Sequence, residues 1–343
     1  MAERKRPPLD HGFFKTASRL NYSEFASVRR YLQTTYDIDP TDAVHDSLEG
    51  AMAMIYADIH NPQLADNALT AFRSLIRLFN RRVADSTNTS PPTNRSNLYR
   101  ILCQMLDNNV SPDEICIVTL NQDLHIEKVL MKIQETNRPN RSGRVFNFPF
   151  CYGMDDAHTR LTRPQGDNVF QFNPGDPNGS GIRVLKLHGS LNWYSIHNTR
   201  DVTKNAILNA RRRFRITTRQ NIAPDMTVTR ARTEYTFPLI IPPVTHKAGI
   251  LHERIQPLWD KAESALRVAK KIVVFGYSCP ATDFESANLL RRTIRQNKNL
   301  REFHVIDPNA AVFQRYVDLT RVDGMHYFKS ASRYLKHAAF HMT

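Results

Sequence analysis

The sequence predicts an α/β protein, a parallel sheet covered by helices on both faces, with a helical insertion lobe and a basic hairpin-like insertion. Three observations carry this. From residue 114 onward, short runs rich in Val and Ile ("EICIVTLNQD", "GIRVLKLHGS", "FPLIIPP", "KKIVVFGYS", "EFHVIDPN") are separated by helical stretches. Strands that are apolar throughout belong to a parallel sheet buried on both faces. Before residue 110, apolar residues instead recur at helical spacing. Between the second and third runs, "NARRRFRITTRQN" (209–221) concentrates arginine in a polar stretch.

The helical lobe takes about residues 19–109. In "ADNALTAFRSLIRLFNRRV" Leu69, Phe72, Ile76 and Phe79 share one helical face. "DAVHDSLEGAMAMIYADI" reads as its partner helix, with "HNPQ" as the break. "ADSTNTSPPTNRS" (84–96) is too polar and proline-bearing to pack, and "NLYRILCQML" resumes a helix with Ser96 as its N-cap. The core then takes about 110–190 and 236–330, with the basic insertion at about 191–235. Its helices are "LHIEKVLMKI", "ILHERIQPLWDKAESALRVAK" and "DFESANLLRRTIRQN".

The chain has 343 residues, 41% hydrophobic and 23% charged, as in an ordinary globular protein. "MAERKRPPLDHGFF" has no apolar segment of the secretory kind, and runs such as "FPLIIPPV" are too short to cross a bilayer, so a cytoplasmic protein without a membrane partner is expected. Cys103, Cys116, Cys151 and Cys279 show no CxxC spacing, which favours buried thiols over disulfides or zinc. The net charge of +14 favours polyanionic partners or anionic ligands. For the arginine stretch, a solvated arm and nucleic-acid contact both stay open, although no aromatic stacking platform accompanies it.

Ligands of open parallel sheets bind beyond the carboxyl ends of the strands, and here polar groups gather at those ends. They are Thr119, Asn121 and Asp123; His188, Gly189 and Ser190; Gly276, Tyr277 and Ser278; and Asp307 with Asn309. Each set alone has a local explanation in caps and turns. Four sets on one rim of a Rossmann-like sheet point to a composite nucleotide site. Gly189 would leave His188 uncovered for a ligand.

"TLNQDLHIE", "LKLHGSLNW", "IVVFGYSCPATDFE" and "VIDPN", in that order, resemble the sirtuin-like family, above all its bacterial antiphage-defence branch. The resemblance touches about residues 7–310 and implies NAD as substrate. Through it, Asn121 would position the attacking water, Asp123 would hold the nicotinamide amide, and His188 would act as base. Gly276 and Ser278 would lie along the ribose-phosphate, and Asn309, with Asp307, at the adenosine ribose. Sirtuin deacetylases carry a four-cysteine zinc module between the second and third motifs. This chain has no cysteine between Cys151 and Cys279, which favours NAD hydrolysis to nicotinamide and ADP-ribose, without zinc, over deacylation. His246 and Lys247 read as a solvated turn.

One departure bears on activity. The family's first strand ends in a Gly-rich turn that cradles the pyrophosphate, and the only Gly-x-Gly here, "NGSG" (178–181), precedes a strand. The chain begins as though that first strand were absent, so weak hydrolysis is expected. The alternatives are a non-catalytic nucleotide-binding or assembly subunit and a nucleic-acid-binding protein using the arginine arm. The resemblance implies a homo-oligomer or a complex with an ATPase or sensor subunit.

Overall fold

The computed structural model describes residues 12–87, 96–108, 110–135, 150–153, 160–162, 181–197, 214–217, 227–229, 232–241, 255–281 and 283–340. Four helices come first: α1 (Phe13–Arg19), α2 (Ser23–Tyr36), α3 (Leu48–Asp58) and α4 (Ala65–Thr87). Of the face expected on α4, Phe72, Ile76 and Phe79 are each 3% exposed or less and Leu69 is half-buried against the same core, which Leu75 also joins. At about 1.5–3 kcal/mol per buried apolar side chain, that stripe outweighs helix propensity in placing α4. The partner helix is shorter than its pattern suggests. The Ser47 side chain accepts from the Gly50 amide at 3.0 Å, so α3 starts at Leu48 instead of near Asp42.

Next come α5 (Asn97–Asp107), β1 (Cys116–Thr119), α6 (His125–Glu135), β2 (Phe150–Cys151), β3 (Arg160–Thr162), β4 (Ile182–Lys186) and β5 (Gly189–His197). Ser96 caps α5 by accepting from the Tyr99 amide at 3.3 Å. They are followed by β6 (Phe214–Thr217), β7 (Thr227–Thr229), β8 (Arg232–Ile240), α7 (Gln256–Val268), β9 (Lys271–Phe275) and α8 (Phe284–Gln296). The chain closes on β10 (Glu302–Ile306), α9 (Ala310–Thr320), β11 (His326–Phe328) and α10 (Ala331–Phe340).

The protein is a mixed α/β structure, but its described strands do not form one parallel sheet. They form two three-stranded parallel sheets, ordered β1-β4-β2 and β11-β10-β9, and a five-stranded mixed sheet ordered β3-β6-β5-β8-β7. The central strands are the buried ones: Val184 and Leu185 of β4 and Val305 and Ile306 of β10 are at most 2% exposed. Ile117 and Val118 of β1 and Val273 and Val274 of β9, on edge strands, are only half-buried. Among the described residues, α5 and α7 pack against both parallel sheets, and α8 reaches both cores through Leu289 and Ile294. Ile101 of α5 packs with Ile306 and Phe328 while its Leu102 and Leu106 pack with Val184 and Leu185, and Leu266 of α7 touches both cores.

Of the basic insertion, residues 198–213, 218–226 and 230–231 lie outside the described residues. Its described strands extend a ladder in which β5 pairs antiparallel with β6 and β8. Leu191 and Ile240 join the core of the helical lobe, so this sheet rests on α1–α4. Among the described residues, no helix is long and apolar enough to cross a membrane.

One buried imidazole lies away from the predicted site. His304 of β10 is 2% exposed and pairs in register with His326 of β11. Its ring centroid lies 5.2 Å from that of His326, 6.0 Å from His337, 5.4 Å from Phe328 and 5.7 Å from Tyr334. Glu302, held by Lys271 at 2.6 Å, stands 3.4 Å from Nε2. Burial first, then the Lys271 ammonium, pushes the His304 pKa down to about 4, against the attraction of Glu302. A histidine kept neutral in the folded state stabilises fully above its unfolded pKa of about 6.5 and loses that contribution as pH falls through about 4. Acid denaturation should therefore show a stability loss of about 3 kcal/mol across that window. His304→Leu should flatten it, as measured by urea midpoints between pH 7 and 4.

Candidate functional site

Two of the four predicted motifs are bound directly to each other. β1 and β4 run parallel with Thr119 opposite Lys186, so both chains leave the sheet at the same edge. The Leu187 amide donates to the Thr119 carbonyl at 2.9 Å, and the Leu191 amide to the Gln122 carbonyl at 2.9 Å. The Thr119 hydroxyl accepts from the Asn121 amide at 3.1 Å, turning the loop as it leaves the strand. Asp123 Oδ1 accepts from the His125 amide at 2.8 Å and so turns the chain into α6. Thr119, Asn121, Asp123, His188, Gly189 and Ser190 thus belong to one compact piece of structure. Within it Asn121 is exposed and Asp123 half-exposed.

The His-Gly pair differs from its expectation in two respects. It is not the end of a strand running into a loop. Gly189, at φ +77°, is the corner at which the chain passes from β4 of the parallel sheet into β5 of the mixed sheet. A positive φ is what glycine tolerates and other residues resist. Nor is His188 uncovered, since it is only 8% exposed and Ser190 is 0% exposed. The cover is Trp259 of α7, whose ring centroid lies 6.3 Å from that of His188 and whose Nε1 donates to the Leu187 carbonyl at 3.0 Å. The backbone of His188 is held as well, its carbonyl accepting from the Ile241 amide at 2.9 Å.

The other two motifs stand at the C-terminal ends of β9 and β10. The Gly276 amide donates to the Ile306 carbonyl at 3.2 Å, which joins them. Gly276, exposed and at φ +67°, turns the chain; a Cβ there would meet nothing within 4 Å. The Tyr277 hydroxyl donates to Asp283 Oδ2 at 2.8 Å, and desolvation together with that carboxylate pushes its pKa far up. Arg315 of α9 donates to the Ser278 carbonyl at 2.6 Å. Asp307 Oδ1 accepts from the Asn309 amide at 2.8 Å and Asn309 Oδ1 from the Ala311 amide at 3.0 Å. Both side chains are thus engaged in the turn and cap that begin α9.

Backbone bonds therefore knit the first two motifs into one piece and the last two into another, and α5 and α7 connect the sheets that carry them. The arginines at 211–213, and His246 and Lys247, lie outside the described residues. An open cavity of about 390 Å³ lies along α1 and α2, lined by Tyr22, Phe25 and Arg29, and none of the predicted site residues lines it.

No family model and no curated protein matches the chain.

The expectation of buried thiols holds for two of the four cysteines, Cys103 and Cys116 being only half-buried. All four cysteines are free, with Cys151 and Cys279 buried. Burial pushes the thiols of Cys103 and Cys116 up to about 11, which keeps them protonated and poorly nucleophilic at neutral pH. Among the described residues, no three His, Cys, Asp or Glu side chains are grouped to hold a metal ion.

Sequence reasoning missed five residues around the first piece: Lys186, Glu127, Tyr152, Asn192 and Trp259. One signal was present. In "GIRVLKLHGS" Lys186 shares the inward face with Ile182 and Val184, an unusual place for an ammonium unless something inside pairs with it.

Proposed function

We propose that the protein hydrolyses NAD+ to nicotinamide and ADP-ribose, as an effector of the antiphage-defence type that the motif resemblance implies. The observation that carries this reading is the joining of the "TLNQD" loop to the His-Gly corner by the Leu187 and Leu191 amides, at the C-terminal ends of adjacent parallel strands. Nicotinamide leaves from a cationic ring with the electron pair of the broken C–N bond, so it departs neutral and needs no acid. What the site must supply is orientation of water and a group to take its proton. Asn121 is suited to the first role, His188 to the second, and Asp123 to holding the nicotinamide amide. ADP-ribose would extend toward Gly276 and Ser278, where the absence of a side chain at 276 leaves space against the backbone.

The burial of His188 under Trp259 favours a second reading, a nucleotide-binding subunit that does not turn NAD+ over. Substitution of Asn121 separates the two. Because Asn121 is exposed, Asn121→Ala should leave the melting temperature within about 1 °C. Nicotinamide release, followed by chromatography, should fall about a hundredfold while ADP-ribose binding persists. If the unsubstituted protein binds NAD+ and releases no nicotinamide, the enzyme reading is wrong and the binding reading stands.

A further inference from the structure

Beneath the two joined motifs lies a charged network that the proposed chemistry does not use. The Lys186 side chain is 0% exposed and that of Glu127 7%, with Nζ 2.8 Å from Oε1. The same ammonium donates to the backbone carbonyl of Asp123. Glu127 Oε1 also accepts from the Tyr152 hydroxyl at 2.8 Å, and Asn192 Nδ2 donates to that hydroxyl at 3.0 Å. One side chain of β4 thus holds the loop that carries Asn121 and Asp123. Through Glu127 it also grips α6 and reaches the residue after β2 and one in β5.

Stability alone does not account for such a pair. Burying two charges costs several kcal/mol per ion, and an apolar replacement of both is often neutral or stabilising. What an apolar pair could not do is give the Asp123 carbonyl a charge-assisted hydrogen bond from a residue two positions before His188. The ammonium also resists sliding of the loop, because moving the Asp123 carbonyl away would leave a buried charge with one partner fewer.

We infer that Lys186 is a positioning residue: its ammonium clamps the Asp123 carbonyl and so holds Asn121 and Asp123 in one register against the His188 corner. The catalytic consequence rests on the NAD-hydrolase reading; the clamp itself does not. The test uses the full chain carrying Lys186→Met with Glu127→Leu, which removes both charges together. Two measurements are made, amide hydrogen exchange and steady-state NAD+ hydrolysis. The amides of Leu191 and His125, bonded to Gln122 and Asp123, should exchange at least about tenfold faster, while those of β10 stay protected. The kcat should fall at least about tenfold with KM changed less than about threefold, since loop misplacement affects the reacting geometry more than overall binding.

Unchanged exchange at Leu191 and His125 overturns the clamp whatever the activity. Faster exchange with an unchanged kcat overturns the positioning role. Faster exchange in a protein whose parent releases no nicotinamide supports the clamp and sinks the hydrolase reading instead. If β10 protection is lost as well, Lys186→Gln with Glu127→Gln keeps polar groups in both places and takes the same two measurements against the same criteria.

Discussion

On the proposed NAD-hydrolase reading, His188→Ala is expected to lower nicotinamide release by about a hundredfold to ten-thousandfold, the range that a positioned general base contributes. His188 is 8% exposed and its imidazole lies beside Trp259 of α7, ring centroids 6.3 Å apart, so its removal also leaves a gap against the indole. Two controls keep the loss interpretable. ADP-ribose affinity, measured by calorimetry, should stay within about threefold, and the urea midpoint reports what the cavity costs. His188→Gln fills more of the space and keeps a polar atom, but it takes up no proton near neutral pH, so it should recover stability without recovering turnover. A folded His188→Ala protein that turns NAD+ over at the parent rate would remove the imidazole from the chemistry.

The second large effect falls on stability. Lys186→Met alone should cost about 3–5 kcal/mol, the usual consequence of removing one partner of a buried ion pair. Glu127 would be left as a carboxylate 6% exposed beside the Tyr152 hydroxyl, with no cation to offset its desolvation. Adding Glu127→Leu should restore most of the loss, which makes the double variant usable as a positioning test when the single variant is not. Denaturant titration of the parent, Lys186→Met, Glu127→Leu and the double variant gives the coupling energy. If Lys186→Met unfolds at the parent's midpoint, the pair contributes nothing to the folded state.

Much of the secondary structure was legible because it depends on neighbours in sequence. The α4 stripe of Phe72, Ile76 and Phe79 repeats at the helical period, and that face is buried. The Ser96 cap and the strands at 116–119, 182–186, 271–275 and 302–306 were visible for the same reason. The strand His326–Phe328 and the helix Ala331–Phe340 were not. A three-residue strand is too short to show a period, and a helix of ordinary composition stands out only through what covers it. The division of the expected single sheet was hidden too, since apolar strands look alike whether they lie at a centre or at an edge.

The candidate site divides along the same line. Residue types and their order placed Thr119, Asn121 and Asp123 with His188, Gly189 and Ser190, because both sets follow apolar strands and a parallel pair brings such ends together. Asp307 and Asn309 were equally legible as polar, but their side chains serve the turn and cap that begin α9, an alternative already open from the local pattern. Trp259 on the Leu187 carbonyl beside His188, and Lys186 on Glu127 and Asp123, join residues 59 to 72 positions apart, which no local period encodes. Period and residue type act over a few neighbours, and they sufficed for the elements and for which strand ends carry polar groups. Whether the imidazole is covered, and what pairs with a lysine inside the sheet, depends on packing between elements distant in the chain, where the cost of an unpaired buried charge selects the partner.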